Sequence, residues 1–330
     1  MTAAPPVPGA FDGPLFIVGM PRSGTKLLRD LLNQHSAVGI PRIETEFLPY
    51  WFEHWQDWGD LSEQNQFQRF YERVRTSSYF RYQNDADSLI SGDVWFSKCA
   101  DFTAEGVFEA LMRHDGLAPE AGMIWGDKSP SYVRHLNALS ERFPTARFVH
   151  IVRDVRDYCL SIHKAWGKNM LRAAQRWTDD VQSAIEAGKG LEGRVLVIRY
   201  EDLLDNPEAT LRKIAGHIER DFEPQMTRLS QTAENLGDTA GAVEVIANNQ
   251  SKYLEALKPD RIQAIEAIAG TVLRSLDYPV SYTGETTRVP PYRQTMYRMS
   301  DAFNLVWSDI KRGEFWDRLG LRWKQHRESR

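Results

Sequence analysis

The stretch Leu15-Phe-Ile-Val-Gly-Met-Pro-Arg-Ser-Gly-Thr-Lys26 restricts the fold of this chain more than any other. Leu15 to Val18 is a short continuous apolar run, suited to a strand buried on both faces of a parallel sheet. Gly19 and Gly24 let the backbone turn tightly after it. Leu27, Leu28, Leu31 and Leu32 then form the apolar stripe of a helix. Strand, glycine-bearing loop and helix together open a nucleotide-binding α/β domain. Such a loop aims free backbone N–H groups at an anion, and the helix dipole adds to the attraction. Arg22 supplies a permanently charged fork for phosphate or sulfate oxygens, and Ser23 and Thr25 supply hydroxyl donors.

Two further apolar runs repeat the pattern. Arg147-Phe-Val-His-Ile-Val152 precedes a helix from about Val155, and Arg194-Val-Leu-Val-Ile-Arg199 precedes helical sequence that continues near Asn206–His217. Strands alternating with helices predict a mostly parallel sheet. The expected fold is therefore α/β, a P-loop-type three-layer arrangement with a central sheet flanked by helices. Residues 1–13 read as a flexible leader and 14–330 as a single domain. Within that domain, 49–121 is an aromatic-rich helical insertion, and 259–330 is helical with a loop around 282–291.

Composition removes several classes of function. A formal net charge of −4 gives no general basis for nucleic-acid binding, so any anion site must be local. The two cysteines, Cys99 and Cys159, have no zinc-ligand spacing, and no metal site is expected. The amino-terminal residues lack the pattern of a secretory signal, and no stretch approaches a membrane span. The expectation is a soluble, cytoplasmic protein; the sequence leaves its oligomeric state open.

The glycine spacing matches that of a P-loop kinase or NTPase, but the order Thr25-Lys26 inverts the lysine–hydroxyl pair that holds phosphate and magnesium there. The metal-holding aspartate also has only a weak candidate, in Val152-Arg153-Asp154. Pro21-Arg-Ser-Gly-Thr-Lys-Leu-Leu28 instead resembles the 5′-phosphosulfate loop of sulfotransferases that use 3′-phosphoadenosine 5′-phosphosulfate (PAPS), especially the protein-tyrosine type and the bacterial group with PRSGT loops. Arg153, with Ser161 eight residues on, resembles the pair that binds the 3′-phosphate. Trp125-Gly-Asp-Lys-Ser-Pro130 resembles the family's lysine-bearing segment. Arg199-Tyr-Glu-Asp-Leu203 resembles its RYEDL segment, whose tyrosine lies near the nucleotide.

The resemblance implies sulfuryl transfer from PAPS, with adenosine 3′,5′-bisphosphate as product and no metal. It assigns charge stabilisation to Arg22 and Lys128. Arg22, Ser23, Gly24, Thr25, Lys26, Arg153, Ser161 and Tyr200 fall at donor-binding positions, and Ser251 and Lys252 lie on a late loop. Lys26 stands where many relatives have a hydroxyl residue. Glu44, directly before Thr45, matches the general base; Glu46 is the alternative. A histidine base, as in the small-phenol type, would have to come from His35, His54 or His163, none in a comparable context; His35 reads as ending the first helix. The acceptor is a hydroxyl, with carbohydrate or glycolipid favoured and tyrosine or phenol as the other options. A carboxy-terminal basic, Trp-bearing segment (Trp307, Trp316 and Trp323 among Lys and Arg) offers peripheral membrane contact, although a helix docked on its own domain is the favoured reading of it. A P-loop kinase or NTPase, or a non-catalytic nucleotide-binding module of sulfotransferase type, remains the alternative.

Overall fold

A computed structural model describes residues 11–83, 89–230, 247 and 249–312, with side chains up to residue 306. Its five strands are β1 (Leu15–Gly19), β2 (Val38–Gly39), β3 (Ile124–Lys128), β4 (Arg147–Val152) and β5 (Val195–Arg199). They form one sheet in the order β2-β3-β1-β4-β5, and every pairing is parallel. β1 and β3 are buried along their whole length, whereas β5 lies at the edge and is only partly covered. Parallel strands need helices on both faces, which explains why these runs are continuously apolar.

Successive residues of β1 serve opposite faces, as the pleat requires. Leu15 and Ile17 pack with Leu27, Leu28 and Leu31 of α1 (Thr25–Leu32) and with Leu211 and Ile214 further along the chain. Phe16 and Val18 pack on the other side with the aromatic insertion.

That insertion consists of α2 (Leu48–His54), α3 (Gln64–Val74), α4 (Ser78–Arg81), α5 (Gly92–Lys98) and α6 (Ala104–Asp115). Its rings are mainly core: Trp51, Phe67, Phe70, Tyr79, Phe80 and Trp95 are buried against one another. The remaining helices are α7 (Leu136–Arg142), α8 (Val155–Trp166), α9 (Met170–Lys189), α10 (Tyr200–Asp205), α11 (Pro207–His217), α12 (Tyr253–Ala256), α13 (Pro259–Ser275) and α14 (Pro291–Arg312). A third core joins α8, α9 and α13 around the buried Trp177.

The strand reading needs two additions. β2 and β3 carry no continuous apolar run; β3 is Ile-Trp-Gly-Asp-Lys. Its glycine is required by packing, since a Cβ on Gly126 would lie 2.1 Å from the Leu15 carbonyl oxygen. Packing also takes in part of the expected leader. Phe11 is buried, its N–H donates to Glu219 at 3.1 Å, and Arg147 stacks on its ring. Among the described residues no helix is long and apolar enough to cross a membrane. Of the basic Trp-bearing segment, residues 307–312 are described as helical backbone only, and 313–330 lie outside the described residues.

Candidate active site

The carboxyl ends of β1, β3 and β4 bring Arg22, Lys128 and Arg153 to one edge of the sheet, the edge where open α/β sheets bind ligands. After β1, the turn closes through a hydrogen bond from the Ser23 N–H to the Met20 carbonyl, 3.2 Å. Arg22 has φ 70° and Gly24 φ 89°. A non-glycine residue held in the left-handed region costs roughly 1–3 kcal/mol and persists only where its surroundings enforce it.

Arg153 does part of that enforcing. This buried guanidinium, at the end of β4, donates to the Arg22 carbonyl at 3.1 Å and to the Asn249 carbonyl at 3.0 Å. Arg22 in turn reaches Ser161 Oγ of α8 at 3.4 Å. The loop after β1 and the strand end of β4 are thus physically joined.

The segment after β5 braces this junction. The Tyr200 ring lies 4.8 Å from the Arg153 guanidinium, and its hydroxyl accepts from Asn249 Nδ2 at 2.8 Å. A Cβ at Gly24 would stand 2.4 Å from that ring, so only glycine fits there. Gly24→Ala is expected to destabilise the fold by roughly 1–3 kcal/mol, measured by urea unfolding, and to weaken nucleotide binding with it.

Glu201 accepts the Asp154 N–H at 3.0 Å and the Tyr278 hydroxyl at 2.6 Å, and its burial raises its pKa. Trp177 Nε1 donates to the Arg153 carbonyl at 3.0 Å. The acidic residues of Arg199-Tyr-Glu-Asp-Leu203 therefore include one that positions the Arg153 turn.

Two buried donors in the cluster have no protein partner, Ser23 Oγ and Arg153 Nε. A buried polar group without a partner costs free energy. Both stand where a phosphate or sulfate oxygen would satisfy them, so the donor set fits an anionic nucleotide.

On the other side of β1, Lys128 ends β3 fully buried and is ion-paired to the half-buried Glu44. Burial lowers the lysine's pKa. Thr45 is the anchor between the two glutamates. Its N–H donates to Ser129 Oγ at 3.0 Å, and its hydroxyl is 2.8 Å from the Tyr132 hydroxyl. Glu46, at φ 57°, has a raised pKa because of burial and then the neighbouring Glu44 charge. Lys26 is half-buried on α1 and adds positive potential at Lys128.

Several residues in this region escaped sequence reading. Arg29, one turn after Lys26, is buried, holds Asp30 at 2.6 Å and the Arg42 carbonyl, and also acts electrostatically on Lys128. Asn249 supplies the late-loop contacts to Arg153 and Tyr200. Of the two residues expected from that loop, Ser251 is exposed at φ 54° and Lys252 caps α12. The loop is pinned to α8 through the Tyr253 N–H on Asp157, 2.9 Å. Asn249 carried no signal beyond its nearness to Ser251.

The histidines take partners elsewhere. His35 lies past the end of α1 rather than ending it, 3.0 Å from the Asp221 carbonyl. His54 pairs with Asp57, and His163 bonds the Lys168 carbonyl. Asp154, the weak metal-holding candidate, caps α8 and is ion-paired with Arg156 at 2.5 Å. Its carboxylate is already occupied, which disfavours the NTPase reading.

A model of the sulfotransferase family matches residues 14–224, from the strand before the loop to beyond α11. The chain belongs to the sulfotransferase family. It is 22% identical over 273 residues to protein-tyrosine sulfotransferase A of Caenorhabditis elegans, covering 78% of this chain and 61% of that protein. Over 129 residues it is 35% identical to the omega-hydroxy-beta-dihydromenaquinone-9 sulfotransferase Stf3 of Mycobacterium tuberculosis, covering 34% of this chain and 33% of that protein. The chain thus spans less than two thirds of the length of either relative. In fold it is similar to the sulfotransferase domain from the curacin biosynthetic pathway, with a TM-score of 0.55 at 20% identity over 82% of this chain and 100% of that domain. The parallel sheet flanked by helices is the arrangement expected from the alternation of apolar runs and helical segments.

Proposed function

We propose that this protein transfers the sulfuryl group of PAPS to an acceptor hydroxyl, of a carbohydrate or glycolipid in preference to a tyrosine or phenol, without a metal ion. The observation that carries this reading is the direct bond from buried Arg153 to the Arg22 carbonyl. That bond holds Arg22 and Arg153 side by side on one sheet edge, and a nucleotide charged at both its 3′ and 5′ positions would need two such cations there.

In the reaction, the acceptor oxygen bonds to sulfur as the bond from sulfur to the bridging oxygen of the 5′-phosphate breaks. The bond pair leaves on that phosphate oxygen, and the hydroxyl proton passes to Glu44. Such a transfer needs mainly in-line positioning and donors around the developing charge. Arg22 and Lys128 supply charge stabilisation; Ser23, Gly24, Thr25 and Lys26 line the 5′ side. Arg153 and Ser161 hold the 3′-phosphate, Tyr200 lies beside the nucleotide, and Ser251 and Lys252 stand on a late loop that touches it. The contact between Lys128 and Glu44 couples base to charge stabiliser. Glu46 is the second candidate base, favoured by its raised pKa, since a base works best with a pKa near the working pH.

Calorimetric titration with adenosine 3′,5′-bisphosphate in the presence of EDTA tests the donor reading. Saturable binding is expected, weakened roughly a hundredfold by Arg153→Ala. Arg153→Lys keeps the charge without the fork and should recover only part of it. Binding that ignores both substitutions, or that requires magnesium, would sink the proposal.

A further inference from the structure

Beside the loop after β1 lies an open cleft lined by Pro21 of that loop, by Tyr158 and Trp166 of α8, and by Lys168, Arg172 and Arg176. It neighbours the segment that follows β3, because Arg176 shares the Asp180 carboxylate with Arg134, six residues after Lys128. Its charge is unbalanced. Arg172 is held by Asp301 at 2.7 Å. Arg176 reaches Asp180 at only 3.5 Å, and that carboxylate is already gripped at two points by Arg134, at 2.8 and 2.6 Å. Lys168 has no carboxylate within ion-pair distance among the described residues; its ammonium sits 4.7 Å from the centre of the Trp166 ring. Burial, Arg176 and Arg172 all depress the Lys168 pKa, as expected where cations crowd without enough counter-charge. Three lining cations against Asp301 and a carboxylate shared with Arg134 leave this wall net positive.

We infer that this cleft is the acceptor site and that it selects acceptors carrying a carboxylate or phosphate near the hydroxyl to be sulfated. Trp166 offers a flat face for a ring, and Lys168 and Arg172 take the anion. Arg176 adds to the positive field there. The inference rests on the donor reading above, and narrows the acceptor from any hydroxyl to an anionic one. The aromatic insertion does not compete for the role, because nearly all its rings, buried or half-buried, pack against one another in one core.

The test measures radiolabelled sulfuryl transfer from PAPS to matched acceptor pairs: methyl glucuronide and its amide, para-hydroxyphenylacetate and its amide, and the corresponding phosphonate. Within a pair, kcat/KM is expected to favour the anionic member by roughly tenfold or more. Lys168→Gln and Arg172→Lys should each reduce that preference severalfold while leaving the affinity for adenosine 3′,5′-bisphosphate unchanged. The Lys168 substitution breaks no ion pair, so it keeps the test independent of folding. Equal rates within pairs, sulfation confined to neutral members, or a preference retained in both variants overturns the inference. So does weakened nucleotide binding in Lys168→Gln, which would assign the cations to the donor. If the unaltered protein binds no adenosine 3′,5′-bisphosphate, the donor reading fails first and takes this one with it.

Discussion

Glu44→Gln is expected to lower kcat by roughly 10²- to 10⁴-fold, the range for removing a general base, with little change in the affinity for adenosine 3′,5′-bisphosphate. Glutamine keeps the shape of the side chain and its contact with Lys128 but cannot accept the hydroxyl proton. The substitution also leaves a fully buried ammonium without its counter-charge. Burial already lowers the Lys128 pKa, and losing Glu44 pushes it further in the same direction. Both effects reduce turnover, and neither touches the Arg153 pocket. Glu46→Gln separates the two glutamates. If Glu44 is the base, that variant should retain turnover to within about tenfold. The assignment fails if Glu44→Gln keeps more than about a tenth of the wild-type kcat, or if Glu46→Gln proves the more damaging of the two.

The largest stability effect should come from the residue next to Lys128. Asp127 is fully buried on β3, and burial pushes its pKa up to about 7. The nearby Ser129 hydroxyl and Lys128 charge offset only part of that rise. A carboxyl whose folded pKa lies above its unfolded value binds a proton more readily in the folded state. Its contribution is therefore fully present below about pH 4 and lost as pH rises towards 7.

Asp127→Asn replaces the protonated form permanently. It should stabilise the protein by roughly 2–4 kcal/mol at about pH 8 and by almost nothing at about pH 4. His150, buried on β4 with both ring nitrogens unpartnered, has the opposite slope. Burial takes its pKa down to about 4, so stability falls as pH drops from about 6.5 towards that value. In the wild-type chain the two slopes largely cancel over that window. The variant should expose the histidine's acid limb alone. Urea unfolding across this pH range measures it; unchanged stability at pH 8 would show that Asp127 is solvated or partnered in solution.

The site was legible in the sequence wherever function demands a particular backbone. Gly19, Arg22 and Gly24 announce themselves because a strand must turn abruptly into a helix with free N–H groups exposed. Arg153 was legible because it directly follows an apolar strand. Lys128 and Glu44 were readable only by resemblance, since β3 breaks its apolar run with Gly126 and Asp127. Their ion pair joins residues 84 positions apart. Arg29, Asn249 and Arg176 gave no local sign at all, because each earns its place through neighbours contributed by other elements.

The sequence by itself determined the parallel α/β architecture, the tight turn from β1 into α1 and the insertion's helical character. Those follow from periodicity and from backbone requirements that act over a few residues. Only the tertiary structure decided which charges face one another: Arg153 on the Arg22 carbonyl, Lys128 on Glu44, and three cations around one cleft beside the loop. Electrostatic partnership depends on separations of a few ångströms between elements distant in sequence, and no local pattern encodes it.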